Sequence, residues 1–171
     1  MRIELPGLVL RDFVEADAAS LARHANNRKV WRNLRDGFPH PYLLEDARRF
    51  LARWRQGAPP SVLCLEVGGE AAGAIGYHTR EDVERFSAEL GYWLAEPHWG
   101  RGLMSAAVRA VSELALGERG LERLVATPFA WNPASCRVLE KAGFQLEGRL
   151  RRAAFKDGQW VDELVYARLR G

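Results

Sequence analysis

Trp99-Gly100-Arg101-Gly102-Leu103-Met104-Ser105 joins one regular element to the next, and its two glycines decide how the rest of the chain is read. Upstream, Ala88-Glu89-Leu90-Gly91-Tyr92-Trp93-Leu94 reads as a strand, while Ser105 to Leu116 repeats its apolar residues at helical spacing. Glycines at a strand-to-helix junction expose backbone N–H groups at the positive end of a helix, a natural seat for phosphate. The spacing is not that of a P-loop, and it does not complete the dinucleotide fingerprint. By itself, the stretch fits a plain tight turn as well as an anion site.

Working towards the N-terminus, Ala71 to His78 and Ser61 to Val67 read as strands joined by a Gly68-Gly69 hairpin turn. Before them, Gly57-Ala58-Pro59-Pro60 marks a loop. Leu44 to Gln56 and Asp17 to Arg28 have helical spacing, with Asn26 and Asn27 favouring an irregular end near Val30 and Trp31. Leu8 to Phe13 is expected to be the opening strand. Working towards the C-terminus, Leu103, Ala106, Ala107, Ala110, Val111, Leu114 and Ala115 predict one apolar helix face. Leu121 to Thr127 is a strand, Asn132 to Ala142 a helix stopped by Gly143, and two further strands flank the Asp157-Gly158 turn. The order predicts an α/β (α+β) fold: one mixed central sheet flanked by helices, in a single domain spanning residues 1–171.

The chain has 171 residues and a formal charge of +3, with acidic residues spread throughout rather than gathered in a tail. That balance does not point to direct nucleic-acid recognition. Arginine dominates the 25 basic residues, of which only Lys29, Lys141 and Lys156 are lysines. Cys64 sits in an apolar run and Cys136 in a predicted helix, without zinc-ligand spacing, and four scattered histidines make no metal site. No secretory segment opens the sequence and no apolar run is long enough to span a membrane, so a reduced cytoplasmic setting is expected.

A second constellation is Trp131-Asn132-Pro133-Ala134-Ser135-Cys136-Arg137. Asn132 suits a helix N-cap, Pro133 the first helical position, and Ser135 the first turn. Capping alone accounts for these choices. If the helix faced the same cleft as the glycine turn, Asn132 could hold a coenzyme amide, with Ser135 near its reacting end. Among the aromatic residues, Trp31 and Phe38 lie by the irregular early segment and are the candidates to face a substrate.

Taken together, the motifs resemble the GCN5-related N-acetyltransferase (GNAT) superfamily, in its ribosomal-protein N-terminal acetyltransferase (RimJ/RimL-type) branch. The resemblance is carried by Leu10-Arg11-Asp12-Phe13 with Asp17-Ala18, by Ile75-Gly76-Tyr77, and by Glu89 to Leu94 with Trp99 to Met104. It continues through Asn132-Pro133-Ala134-Ser135, Leu139-Glu140-Lys141-Ala142-Gly143-Phe144, Asp157-Gly158 and Tyr166-Ala167. It implies an acetyl-CoA cosubstrate and no metal. The pyrophosphate would lie on Trp99, Gly100, Arg101, Gly102, Leu103 and Met104, and the pantetheine arm along Tyr92, Trp93 and Leu94, with Asn132 and Arg137 as further coenzyme contacts. Trp99 and Met104 depart from the Gln/Arg and Gly/Ala usual at the ends of the superfamily motif.

The same resemblance implies that Ser135 protonates or hydrogen-bonds the departing sulfur, a role favoured over Tyr92 or Tyr166. The general base is less well marked, because Ala154 stands where related enzymes can carry a glutamate. Glu89 is the replacement, with a water-mediated route as the alternative. Asp162 and Glu163 alternate along the last strand, so at most one should point inward. The acceptor would be a protein N-terminal α-amine, such as that of a ribosomal protein. At pH 7.4, deprotonation costs roughly 1 kcal/mol for an α-amine and about 4 kcal/mol for lysine. A small-molecule amine such as a polyamine or antibiotic, or a noncatalytic CoA-binding or protein-interaction module, are the alternatives. A homodimer is compatible with the resemblance.

Overall fold

The computed structural model describes residues 1–55 and 62–171. The predicted Gly57-Ala58-Pro59-Pro60 loop, with the flanking Gln56 and Ser61, lies outside the described residues. Eight strands run in the sheet order β1-β2-β3-β4-β5-β6-β8-β7, flanked by helices as the element pattern predicts. The chain divides into two compact units, each assembled from separate stretches: Met1–Gly76 with Tyr92–Leu103, and Tyr77–Gly91 with Met104–Gly171.

In the first unit β1 (Arg2–Leu5), β2 (Leu8–Arg11), β3 (Val62–Val67) and the start of β4 (Glu70–Thr79) are neighbours, each pair antiparallel. The sequence reading missed β1 and carried β2 two residues too far. β1 only alternates exposed with half-buried residues at the sheet edge, so it has no strong apolar pattern to read. Gly68 and Gly69 turn β3 into β4 with φ of +62° and +84°, the left-handed pair that a two-residue hairpin requires.

The helix predicted over Asp17 to Arg28 ends at Ala25, as α1 (Ala18–Ala25), and the segment expected to be irregular near Val30 and Trp31 is a short helix, α2 (Arg28–Trp31). Asn27 ends the first run by capping the second, its side chain accepting from the Lys29 N–H at 2.8 Å. α3 (Leu44–Arg55) packs on α1, and together with β3 and β4 they bury Leu21, Ala25, Tyr42, Ala47, Leu51, Cys64 and Ala74. Beside this core, the Arg11 guanidinium donates to both carboxylate oxygens of Asp17 at 2.8 Å and through Nε to Glu66.

In the second unit the start of β5 (Ser87–Leu94) runs parallel to β6 (Arg123–Ala126), with Ser87 opposite Arg123 and Glu89 opposite Val125. β6 pairs antiparallel with β8 (Gln159–Leu169), which pairs in turn with β7 (Gln145–Lys156). α4 (Leu103–Glu113) widens to a π turn over Leu114–Glu118, and α5 (Pro133–Lys141) precedes β7. The buried face of α4 is Leu103, Met104, Ala107, Val108, Val111 and Ser112, continuing into Ala115. Met104, Val108 and Ser112 replace the predicted Ala106, Ala110 and Leu114, which are half-buried.

Ser112 is fully buried, and its hydroxyl has no hydrogen-bond partner among the described residues. A buried unsatisfied hydroxyl costs free energy that a methyl does not, and alanine is the better helix former. Ser112→Ala is therefore expected to stabilise the protein by about 1 kcal/mol, read as a higher urea midpoint with unchanged m-value. A lower midpoint would show that the hydroxyl is satisfied.

Candidate active site

The glycine turn is built from its own backbone outward. β5 ends at Leu94, where the Ala95 N–H donates to Ala72 O of β4 at 2.8 Å. A 3-10 turn, Glu96–His98, follows, and the Trp99 N–H closes it on Glu96 O at 3.1 Å. The Trp99 indole then reaches back, Nε1 donating to Leu94 O at 2.7 Å. This contact explains how a tryptophan serves in the place of the polar residue usual at that motif position. It ties the turn to the strand end by a side-chain N–H.

Gly100 and Gly102 have φ of +73° and +76°, and a Cβ at either would meet nothing within 4 Å. Conformation rather than crowding therefore demands glycine there, and the backbone stays open to a ligand that packs against it. The side chains of Leu103 and Met104 are buried, only 5% and 8% exposed, so these two positions can meet a ligand only through their backbone. Exposed Arg101 is the one side chain of Gly100–Met104 that can extend from the turn. An open turn of left-handed glycines followed in the chain by a helix start is a geometry that can hold a phosphate.

Upstream in the same unit, Phe38 packs edge-on against Trp93, with ring centroids 5.6 Å apart, and against Tyr42 at 4.8 Å. One of the two candidate substrate aromatics is thus placed on the β5 end. Trp31 instead stacks on His40 at 5.5 Å. Beside α1, an open groove of about 260 Å³ is lined by Arg23, His24, Asn26, Asn27, Glu96 and Pro97. Its Glu96 accepts from Asn27 Nδ2 at 2.8 Å and from the Lys29 ammonium, and those two donors hold its carboxyl below the usual range.

The second unit holds the other half of the predicted set. Asn132 caps α5, its Oδ1 accepting from the Ser135 N–H at 3.2 Å, and Pro133 takes the first helical turn. The cap therefore fixes the backbone of Ser135, which is half-buried, while Arg137 is exposed. Glu89 is half-buried on β5 and accepts from Thr127 Oγ1 at 3.4 Å, a contact that orients its carboxylate.

Tyr166 is 3% exposed and donates to Glu140 Oε1 at 2.9 Å. Burial first, then that bond, pushes its phenol well above the ordinary range, so its proton is committed to a structural contact. Asp162 accepts from the Arg152 N–H at 2.7 Å and from Arg149 Nε at 2.6 Å, whereas Glu163 is buried. Ala154 lies opposite Val161 on the β7–β8 hairpin. Among the described residues no His/Cys/Asp/Glu group is arranged to hold a metal, and no helix is long and apolar enough to cross a membrane.

Gly73 was not legible as a site residue. A Cβ there would lie 2.3 Å from Trp93 O and 3.1 Å from Leu94 Cα, so it sets how closely β4 approaches the β5 end. No local sequence signal marks it, because the close approach is made by residues twenty positions away.

The acetyltransferase (GNAT) domain profile matches residues 7–145, which contain every element of the turn and of the capped Asn132–Ser135 segment. The chain belongs to the GNAT acetyltransferase family. It is 38% identical over 171 residues to the uncharacterized N-acetyltransferase YoaA of Bacillus subtilis (strain 168), covering 96% of this chain and 94% of that protein. It is 36% identical over 100 residues to the ribosomal-protein-serine acetyltransferase of Escherichia coli (strain K12), covering 58% of this chain and 55% of that protein. The solved structure of RimL, the ribosomal L7/L12 alpha-N-protein acetyltransferase in complex with coenzyme A, superposes with a TM-score of 0.86 at 24% identity. The superposition covers 99% of this chain and 98% of RimL, and at that identity it establishes the shared fold. This GNAT chain is thus an N-acetyltransferase, and its relatives, which include ribosomal-protein acetyltransferases, are consistent with the RimJ/RimL-type branch.

Proposed function

We propose that this N-acetyltransferase transfers acetyl from acetyl-CoA to a protein N-terminal α-amine, such as that of a ribosomal protein. The observation that carries the donor assignment is the Gly100–Gly102 turn, with two left-handed glycines and open Cβ positions ahead of α4. The similarity to the ribosomal-protein-serine acetyltransferase supports the acceptor class, as does the low cost of deprotonating an α-amine near neutral pH.

In this reading the backbone of Gly100 to Met104 and the Arg101 guanidinium hold the pyrophosphate, and Tyr92 to Leu94 lie along the pantetheine arm. Asn132 and Arg137 are further contacts to the coenzyme. The neutral amine attacks the acetyl carbon, the carbonyl becomes an oxyanion, and collapse breaks the C–S bond. Ser135 Oγ gives a proton or hydrogen bond to the leaving sulfur, and Glu89, directly or through water, takes the proton that the amine loses. Phe38 and Trp31 face the acceptor.

Incubation with labelled acetyl-CoA and a panel of protein N-termini, peptides, polyamines and aminoglycosides tests the assignment. Label on protein termini supports it. Label on small amines alone removes the protein-terminus claim, and CoA binding without transfer or donor hydrolysis removes catalysis. Ser135→Ala is expected to lower kcat by about 10- to 100-fold with little change in CoA affinity, the signature of an interaction made in the transition state. Unchanged single-turnover transfer would reject the leaving-group role.

A further inference from the structure

We propose that His98 is a positioning residue for donor binding, holding the Arg101 guanidinium on the phosphate-binding turn, and that it does so only as the neutral Nε2–H tautomer. Arg101 Nη1 lies 3.2 Å from His98 Nδ1. A guanidinium carries five donors and no acceptor, so the contact is a hydrogen bond only if Nδ1 presents its lone pair. The neutral Nδ1–H tautomer would set two donors against each other, and protonation of both nitrogens would set two cations against each other. The inference rests on the reading that Gly100 to Met104 seat the CoA pyrophosphate.

The surroundings of His98 keep it in the required form. Its ring faces that of His24 on α1, with centroids 6.1 Å apart. His24 Nε2 is 3.3 Å from Glu70 Oε2 at the start of β4, and Glu70 also accepts from Arg23. Glu96, on the same 3-10 turn as His98, is engaged by Lys29 and Asn27. The charged and titratable groups facing the pair are therefore Arg23 and His24 from α1, Glu70 from β4, and Arg101 itself.

Of the two histidines, His24 has the carboxylate partner. Partial burial, followed by the charges of Arg101 and His24, lowers the His98 pKa against the smaller opposing pull of Glu70. Near neutral pH, Arg101 is held, and the grip is released as His98 protonates at a pH below the ordinary imidazole range.

The test uses the full chain, wild type and the variants His98→Ala, His98→Asn and Arg101→Ala, with CoA affinity measured by calorimetry at pH 8 and pH 5.5. The Asn side chain offers an acceptor oxygen that does not titrate. His98→Ala is expected to weaken CoA binding about three- to tenfold at pH 8, the range of one hydrogen bond, with kcat little changed. His98→Asn should bind as wild type at pH 8 and lose the additional weakening that wild type shows at pH 5.5. Titration of the donor's own phosphates is common to both proteins and cancels in that comparison. Long-range proton–nitrogen NMR of the free wild type should show the proton of His98 on Nε2.

A proton on Nδ1, or wild-type affinity in His98→Ala at pH 8, overturns the proposal, as does an undiminished pH dependence in His98→Asn. If Arg101→Ala weakens CoA binding while His98→Ala does not, only the positioning role fails. If Arg101→Ala also binds CoA as wild type, the assignment of the guanidinium to the donor fails with it.

Discussion

Exchange of Asp17 for alanine is expected to lower the unfolding free energy by roughly 3–5 kcal/mol, the cost of leaving one member of a buried ion pair uncompensated. The side chains of Arg11 and Asp17 are only 14% and 6% exposed, and the guanidinium spans both carboxylate oxygens at 2.8 Å. Asp17 also accepts from the Val14 N–H at 2.8 Å, so its loss frees the turn that opens α1 as well as the charge on β2. Glu66 remains on Arg11 Nε and keeps the guanidinium partly compensated, which places the expected loss towards the lower end of the range. Urea unfolding measures it. A change below about 1 kcal/mol would mean that water reaches the pair and that it behaves as a surface ion pair.

Gly73→Ala is expected to cost about 3 kcal/mol or more and to weaken donor binding with it. The added methyl carbon would stand 2.3 Å from Trp93 O, a backbone atom that cannot swing aside, and 3.0 Å from Leu65 Cδ1. Relief requires β4 and the end of β5 to part beside the bond from the Ala95 N–H to Ala72 O. That end carries Trp93 and Leu94, the proposed neighbours of the pantetheine arm, and Leu94 O, which anchors the Trp99 indole. Gly91→Ala is the control: a Cβ there meets nothing within 4 Å, and the expected change is within about 0.5 kcal/mol. Thermal unfolding and CoA affinity report the two effects. A Gly73→Ala protein as stable as the Gly91→Ala protein would refute the close-approach account.

The elements legible from the sequence were those whose signals are local. Gly68-Gly69 needs left-handed backbone wherever it stands, and Asn132-Pro133 begins a helix by satisfying its own first N–H groups. β1 was missed because its polar–apolar alternation, Arg2-Ile3-Glu4-Leu5, runs for only four residues at the sheet edge. α1 was read three residues past its end, because residue type alone does not show that Asn27 caps a second helix. The buried face of α4 was displaced onto Met104, Val108 and Ser112, since helical spacing predicts a stripe but packing decides which residues complete it.

The same division runs through the candidate site. The left-handed turn at Gly100 and Gly102 and the capping of Ser135 by Asn132 were legible because turn conformation and helix capping depend on a few consecutive residues. What Trp99 does there was not, because the acceptor of its indole N–H lies five residues back on β5. Tyr166 offers a hydroxyl to any reading of the sequence, and only the packing of α5 on β8 shows that this hydroxyl donates to Glu140.

By itself the sequence determined the order of elements, the glycine turn before α4, the capped start of α5 and, through their combination, the acetyltransferase family. These depend on backbone preferences within a few residues. Tertiary structure alone decided that Gly73 must lack a side chain, that Arg11 and Asp17 form a buried pair, and that His98 faces both Arg101 and His24. Each of those is a meeting of groups from different elements, where distance and burial set the energy and residue type alone does not.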